Sequence, residues 1–144
     1  MRRGSMGNRS AWMLVAAVAV GLTLSGCGSE AAEEVEQPAQ VEAIAGSDVS
    51  RVILTEKAAE RIGLQVAPVR QGSEVPLAAV VYARDGSTWV YTVTAPLTYV
   101  RQAVTVARVA GDVAVLQAGP APGTNVVTVG AAELLGSEYG VEGE

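Results

Sequence analysis

The chain contains no histidine and only one cysteine, Cys27. These absences exclude a zinc site built from cysteine and histidine, and they exclude catalysis by Ser–His–Asp or Cys–His groups within this chain. An internal disulfide is excluded because it needs two cysteines. Phenylalanine is also absent, and aromatic residues make up only 4% of the 144 residues. Any core must therefore consist mainly of small side chains, chiefly alanine and valine.

Positive charge is scarce too. The chain has 10 basic and 15 acidic residues, and its formal net charge is −5. An acidic protein repels phosphate backbones, so nucleic-acid binding is not expected. No glycine-rich loop ends in Lys-Ser or Lys-Thr, so nucleotide binding has no support. The single lysine, Lys57, falls on the polar face of a predicted short helix, where solvation is a better explanation than a Ser–Lys dyad.

The first 26 residues have the order of a bacterial lipoprotein signal. Three arginines occur among the first nine residues, and residues 11–24 are apolar and uncharged. Leu24, Ser25 and Gly26 then precede Cys27 and resemble a lipobox. This order predicts that residues 1–26 are removed and that Cys27 carries the lipid. The protein is then exported and anchored to the outer face of the cytoplasmic membrane, at the cell surface or in the periplasm.

An uncleaved transmembrane anchor is the alternative interpretation of the same segment. Residues 10–29 carry no charge and just reach a spanning length. However, Gly21, Thr23, Ser25 and Gly26 dilute the apolar character of its C-terminal end, and no basic cluster follows. Both interpretations place the rest of the chain outside the cytoplasmic membrane.

Residues 27–50 combine the candidate lipidated cysteine with a segment rich in alanine, glutamate and glutamine. Such a composition buries too little apolar surface to offset the entropy of ordering, so we predict a flexible acidic tether. Its glutamates, Glu30, Glu33, Glu34 and Glu36, are better explained as a solvated charge run than as a cation site. We expect the folded domain to span residues 51–140, with a tail at 141–144.

The domain has one clear helix near its start. Thr55 offers an N-cap, Glu56 favours the helix dipole in the first turn, and Gly63 provides a C-terminal stop, which predicts a helix over residues 55–62. Near the other end, residues 131–135 predict a single helical turn ended by Gly136, with a polar, frayed segment from Ser137 on.

The remainder of the domain is typical of strands separated by turns. An extended segment begins at residue 64, and strands are predicted over residues 77–82, 88–93, 99–109, 113–118 and 125–129. Turns are predicted at Asp85-Gly86 and Gly111-Asp112, because these residues tolerate positive φ or bond locally to the backbone. The expected fold is therefore mainly β, a small barrel or half-open roll of about six to seven strands with one or two short helices.

Five residues are candidates for a ligand or partner surface. Trp89, Tyr91 and Tyr99 form either an aromatic ligand shelf or, as we favour, the packing centre of a core that lacks other large side chains. Arg101 and Arg108 belong to one predicted strand. One interpretation is that they contact lipid head groups or a transporter. The other is that they protect an exposed sheet edge, and the sequence is compatible with both.

The acidic residues of the domain are poor catalytic candidates. Asp85 and Asp112 each stand beside a glycine in a predicted turn, where aspartate is favoured for local hydrogen bonding. Glu133 lies near the start of the second helix, where a carboxylate favours the dipole. We therefore predict no catalytic residue, no metal site and no cofactor.

Two stretches resemble the periplasmic adaptor subunits, or membrane fusion proteins, of efflux systems of the RND and ABC types. The first is LTEKAAERIGLQVAPV at residues 54–69, similar to a short helix followed by the pattern Gly-Ile/Leu-x-x-x-x-Val. The second runs from residue 75 to residue 140 and contains VPLAAVV, DGSTWVY and GTNVVTVGA, followed by a short helix with ELL. These segments, in this order, are similar to the membrane-proximal domain of adaptors.

The resemblance implies a fold in which the beginning and the end of the chain come together. In adaptors a barrel, a lipoyl-like domain and often a helical hairpin lie between the two stretches. Here only about residues 70–74 separate them, so the chain resembles the membrane-proximal domain alone.

The resulting prediction is a non-catalytic lipoprotein that docks on an inner-membrane transporter of an export complex. The alternative is a surface lipoprotein that binds a small ligand or a cell-wall component in a concave, aromatic-lined pocket around Trp89.

Overall fold

The computed structural model describes residues 37–140 of the chain. This part contains ten strands, two α-helices and one short 3-10 helix. The strands are β1 (Ala39–Ala43), β2 (Ser50–Leu54), β3 (Gln65–Pro68), β4 (Glu74–Pro76), β5 (Val81–Tyr82), β6 (Thr88–Ala95), β7 (Thr98–Ala103), β8 (Thr105–Ala110), β9 (Val113–Ala118) and β10 (Asn125–Val129). The α-helices are α1 (Glu56–Arg61) and α2 (Ala131–Glu138), and the 3-10 helix is Leu77–Ala79.

The strands form two antiparallel sheets. The large sheet has seven strands in the order β1-β2-β7-β6-β10-β3, with β5 paired to β6. The small sheet has the order β4-β9-β8. The mainly β class with short helices is confirmed, with ten strands where six or seven were expected. Within the described residues the large sheet does not close into a barrel, because β1 and β3 end its order without pairing to each other.

Helix α1 forms where its capping residues predict it. The Thr55 hydroxyl oxygen accepts a hydrogen bond from the amide of Ala58 at 3.1 Å, and Glu56 stands in the first turn. Gly63 adopts a φ of +63°, which ends the helix. The helix predicted over residues 55–62 is therefore confirmed. Neither α1 nor α2, the helices of residues 37–140, is long and apolar enough to span a membrane.

Both predicted hairpin turns form. The turn at Asp85-Gly86 joins β5 to β6, and Gly86 takes a φ of +82°. The turn at Gly111-Asp112 joins β8 to β9, and Gly111 takes a φ of +61°. These turns fix the register of the strands on either side.

Two of the predicted strands were wrong because the chain changes sheet within them. Residues 77–82 divide into the 3-10 helix and β5, which carries the chain from the small sheet to the large one. Residues 99–109 divide at Val104, which donates its amide to the Thr88 carbonyl on the large sheet, while Thr105 already pairs with Ala118 on the small sheet. A hydrophobic pattern does not reveal which sheet a strand joins. Neither change of sheet could therefore be predicted from the sequence.

Ordered structure extends further at both ends than the sequence indicated. Strand β1 lies inside the segment predicted as a tether, where it pairs with β2 in a regular antiparallel register. Helix α2 passes Gly136 and reaches Glu138, so the prediction that Gly136 ends it was wrong. The predicted signal peptide, residues 27–36 of the tether and the tail at 141–144 lie outside the described residues.

The interior consists of two clusters that share strands β6 and β10. The helix-side core lies beneath α1 and α2 and includes Val52, Tyr91, Val127 and Leu134. The inter-sheet core lies between the sheets; it includes Val75, Val90, Val104, Leu116 and Val126. Because consecutive residues of a strand face opposite sides, β6 and β10 are buried on both faces.

Candidate functional site

The β6–β7 hairpin brings together three of the five candidate surface residues. Trp89, Tyr91 and Val93 alternate along β6 and all contact the helix-side core, so they lie on one face of the strand. Arg101 on β7 stands directly opposite Tyr91 in the antiparallel register. This pairing places a guanidinium group beside a phenol and an indole.

A carboxylate from the C-terminal end of α2 completes the group. The Glu138 side chain is only 3% exposed. Its Oε2 accepts a hydrogen bond from the Tyr91 hydroxyl at 2.6 Å, and its Oε1 accepts from Arg101 Nε and from the Ser50 amide, both at 2.9 Å. One side chain thus bonds to strands β2, β6 and β7.

Aromatic rings enclose the arginine of this group. The Arg101 guanidinium carbon lies 4.5 Å from the centroid of the Trp89 ring and 5.5 Å from that of Tyr139. Arg84 lies over the Tyr139 ring as well, at 4.6 Å. We call these residues the Glu138 cluster. Its members are Ser50, Arg84, Trp89, Tyr91, Arg101, Glu138 and Tyr139.

The electrostatics of the cluster favour a structural role, in which Glu138 holds the end of α2 against the large sheet, over an acid–base role. Burial, and then the hydrogen bond to Glu138, raise the pKa of Tyr91 far above its ordinary value of 10.0. Tyr91 therefore stays a neutral donor to the carboxylate, while Glu138 and Arg101 compensate each other's charge. A general acid or base needs a pKa near the working pH, and the pKa of Tyr91 is shifted away from it.

The other candidate surface residues do not join this cluster. Tyr99 is 3% exposed in the helix-side core, where burial raises its pKa. With Tyr91 also fully buried, the aromatic residues form a packing centre and not an open shelf. Arg108 is exposed on β8, an edge strand of the small sheet, whereas Arg101 is on the large one.

The acidic turn residues have structural partners. Asp85 Oδ1 accepts hydrogen bonds from both the hydroxyl and the amide of Ser87, which lower the pKa of Asp85 below its ordinary value of 3.8. The Ser87 hydroxyl oxygen accepts in turn from Trp89 Nε1 at 2.7 Å. Asp112 lies in the β8–β9 turn, and its carbonyl accepts from the Leu77 amide.

The remaining titratable candidates are at the surface or outside the described part. Lys57 and Glu133 are exposed, and Glu133 is in the first turn of α2. In residues 37–140, no three acidic, cysteine or histidine side chains converge as metal ligands would. Leu24, Ser25, Gly26 and Cys27 lie outside the described residues.

Sequence reasoning missed Glu138 and Tyr139 because Gly136 was taken as the end of the helix. A helical signal was nevertheless present. Glu138 follows the apolar residue Leu134 by four positions, which places both on one helix face. Leu134 is fully buried, so the Glu138 carboxylate, on the same helix face, also points towards the sheet.

Comparisons of the chain with protein-family models, with curated proteins and with solved structures found no match.

Proposed function

We propose that this protein is a non-catalytic lipoprotein that docks on a membrane export complex. Cys27 would carry the lipid anchor, and the β-rich domain would contact the extracytoplasmic part of an inner-membrane transporter. The proposal starts from the resemblance of residues 54–69 and 75–140 to the membrane-proximal domain of efflux adaptors.

The pairing of β3 with β10 is the observation that carries the proposal. Strand β3 ends the first resembling stretch and β10 lies in the second, and they pair antiparallel with Val66 opposite Val127. The resemblance implies that the first and the second stretch lie together in one domain, and this pairing supports that implication.

The connection between the two stretches also supports the proposal. Where adaptors insert their other modules, this chain makes a tight turn over residues 70–74. The Arg70 amide donates to the Glu74 carbonyl at 2.9 Å, and these two residues form an isolated β-bridge. Without lipoyl and hairpin modules, the chain would act as an accessory subunit that does not itself reach an outer-membrane channel.

A docking role fits the chemistry of the surface better than a ligand-binding role. The concave aromatic pocket expected around Trp89 would need free ring faces. In the structure Arg101 covers one face of Trp89, and Tyr91 and Tyr99 are buried.

The test is photo-crosslinking of the full chain in membranes. A crosslinking amino acid at the exposed position Arg108 should capture an integral membrane transport subunit encoded near this gene. The same probe at the buried position Val75, which is 1% exposed, is the matched control. Capture of no membrane protein beyond that control would contradict docking. Separately, Cys27→Ala should abolish labelling with palmitate, and unchanged labelling would contradict the anchor.

A further inference from the structure

The edge strands of the two sheets differ in how they are protected against pairing with another chain. Strand β3 has four residues and ends in Pro68, which lacks an amide donor. Strand β4 has three residues and ends in Pro76. Strand β8 contains register shifts on either side of Val106 and exposes Arg108. Short length, proline, bulges and charge are the devices by which sheet edges avoid unwanted pairing.

Strand β1 lacks the proline, the register shifts and the very short length of the other edges, and its one charged side chain, Glu42, is paired with Arg51 on β2. It pairs with β2 over five residues without a register shift, and no proline lies within it. Its central residue, Val41, stands opposite the fully buried Val52 and therefore faces the core side of the sheet. Val41 is nevertheless 44% exposed, because no described strand lies beyond it.

The hydrogen-bond pattern shows which backbone groups β1 offers to a further strand. The Thr55 amide donates to the Pro38 carbonyl at 3.1 Å, so Pro38 points its carbonyl towards β2. Backbone groups alternate in direction along an antiparallel strand. Ala39, Val41 and Ala43 therefore direct their amides and carbonyls to the free edge.

The sequence of β1 is complementary to itself in the antiparallel direction. A two-fold axis at Val41 places Val41 against its own copy and Ala39 against Ala43 of the second chain. Gln40 then stands opposite Glu42 of the second chain, where an amide can donate to a carboxylate. No like charges stand directly opposite each other, which is the arrangement that cross-strand pairing requires.

The neighbouring ion pair fits the same arrangement. Glu42 Oε2 lies 3.1 Å from Arg51 Nη1 on the adjacent strand, so each copy compensates its own carboxylate. A two-fold pairing also uses the same edge on both chains and leaves the protected β3 edges outside, which gives a closed dimer and no growing filament.

We propose that the protein forms a homodimer in which β1 pairs antiparallel with β1 of a second copy about a two-fold axis at Val41, joining the two large sheets. The proposal does not depend on the docking function. It accounts together for the edge without proline or register shift, the outward backbone groups and the self-complementary strand.

Disulfide trapping in the full chain, purified in detergent, tests the geometry. Facing residues of a hydrogen-bonded antiparallel pair are separated by about 5.5 Å between Cα atoms, within reach of a disulfide. Val41→Cys should give a disulfide-linked dimer under mild oxidation. Val66→Cys is the matched control, because Val66 is 42% exposed on the other edge strand of the same sheet. The wild-type chain controls for disulfides through Cys27.

Sedimentation measurements provide the second test. Val41→Lys sets two like charges against each other and should weaken dimerisation at least about tenfold, while Val66→Lys leaves it unchanged. Circular dichroism confirms that both variants remain folded. Equal crosslinking of Val41→Cys and Val66→Cys would overturn the proposal. A wild-type chain that stays monomeric from nanomolar to high micromolar concentration would overturn it as well.

Discussion

Glu138 shows how one carboxylate can join several strands of a small domain. Three donors from β2, β6 and β7 bond to its two oxygens, and its side chain and that of Arg101 are 3% and 9% exposed. A buried ion pair is not itself proof of high stability, because both charges must leave water. Once the pair is buried, however, the loss of either member leaves the other uncompensated.

We expect Glu138→Gln to lower the free energy of unfolding by about 3 kcal/mol, because Arg101 is left as a buried charge without its partner. Glu133→Gln is the matched control on the same helix. Glu133 is exposed, so its change should stay within about 0.5 kcal/mol. Urea denaturation of both variants measures the difference.

A double-mutant cycle with Arg101→Met separates the pair from the packing of each side chain. The losses of unfolding free energy in Glu138→Gln and Arg101→Met should sum to more than the loss in the double variant. The double variant has no uncompensated buried charge. If Glu138→Gln lowers the free energy of unfolding no more than Glu133→Gln does, the Glu138 cluster does not stabilise the packing of α2 on the sheet.

Tyr91 predicts a loss of stability in alkaline solution. Burial and the Glu138 hydrogen bond raise its pKa in the folded protein far above 10.0. Below pH 10 the phenol keeps its proton in both states. Above that pH the unfolded state ionises first, so stability falls as pH rises. The melting temperature of wild type should therefore fall more steeply above pH 10 than that of Tyr91→Phe, and equal slopes would contradict the assignment.

Local signals predict those elements whose ends are set by nearby residues. Thr55 and Gly63 define α1 because a hydroxyl cap and a left-handed stop act within one turn. Asp85-Gly86 defines its hairpin for the same reason. Strand β10 was predicted with its observed bounds, because Gly123 and Gly130 frame a short apolar run.

Long-range contacts decided the elements that the sequence did not predict. Val104 breaks a strand because it packs between the two sheets, and nothing near it in sequence marks that position. Strand β1 forms because β2 offers it a partner, despite an acidic composition typical of a tether. Glu138 is ordered because Arg101, far away in the chain, supplies the opposite charge. The candidate site was therefore predicted only on its strand side.

The glycine inside α2 gives a prediction at the level of the helix. Gly136 has no positive φ, and an added Cβ would meet nothing within 4 Å. Gly136→Ala should therefore stabilise the protein by about 0.5–1 kcal/mol, since alanine favours the helix. Gly63→Ala is the control. Its surroundings are equally open, but its φ of +63° should make the same substitution destabilising by about 1 kcal/mol or more. Thermal melts that change in the same direction would contradict this reading.

At the scale of the whole molecule, β6 and β10 connect the two cores. Val90 and Val126 face the inter-sheet core, whereas their neighbours Tyr91 and Val127 face the helix-side core, and all four are fully buried. A substitution that loosens the packing of either core therefore affects the same two strands, which also contribute to the other core. We infer that the two cores unfold as one unit.

Neighbouring valines on β10 test this inference. Val126→Ala and Val127→Ala create cavities in different cores, and each should cost about 2 kcal/mol. Val129→Ala is the control on the same strand, because Val129 is 42% exposed and its loss should stay within about 0.5 kcal/mol. Hydrogen–deuterium exchange measures how far each effect spreads. Both core variants should weaken protection in the small sheet and in α2 alike, since the shared strands couple them. If Val126→Ala affects only β8 and β9 while α2 keeps its protection, the two cores are independent and the domain contains two folding units.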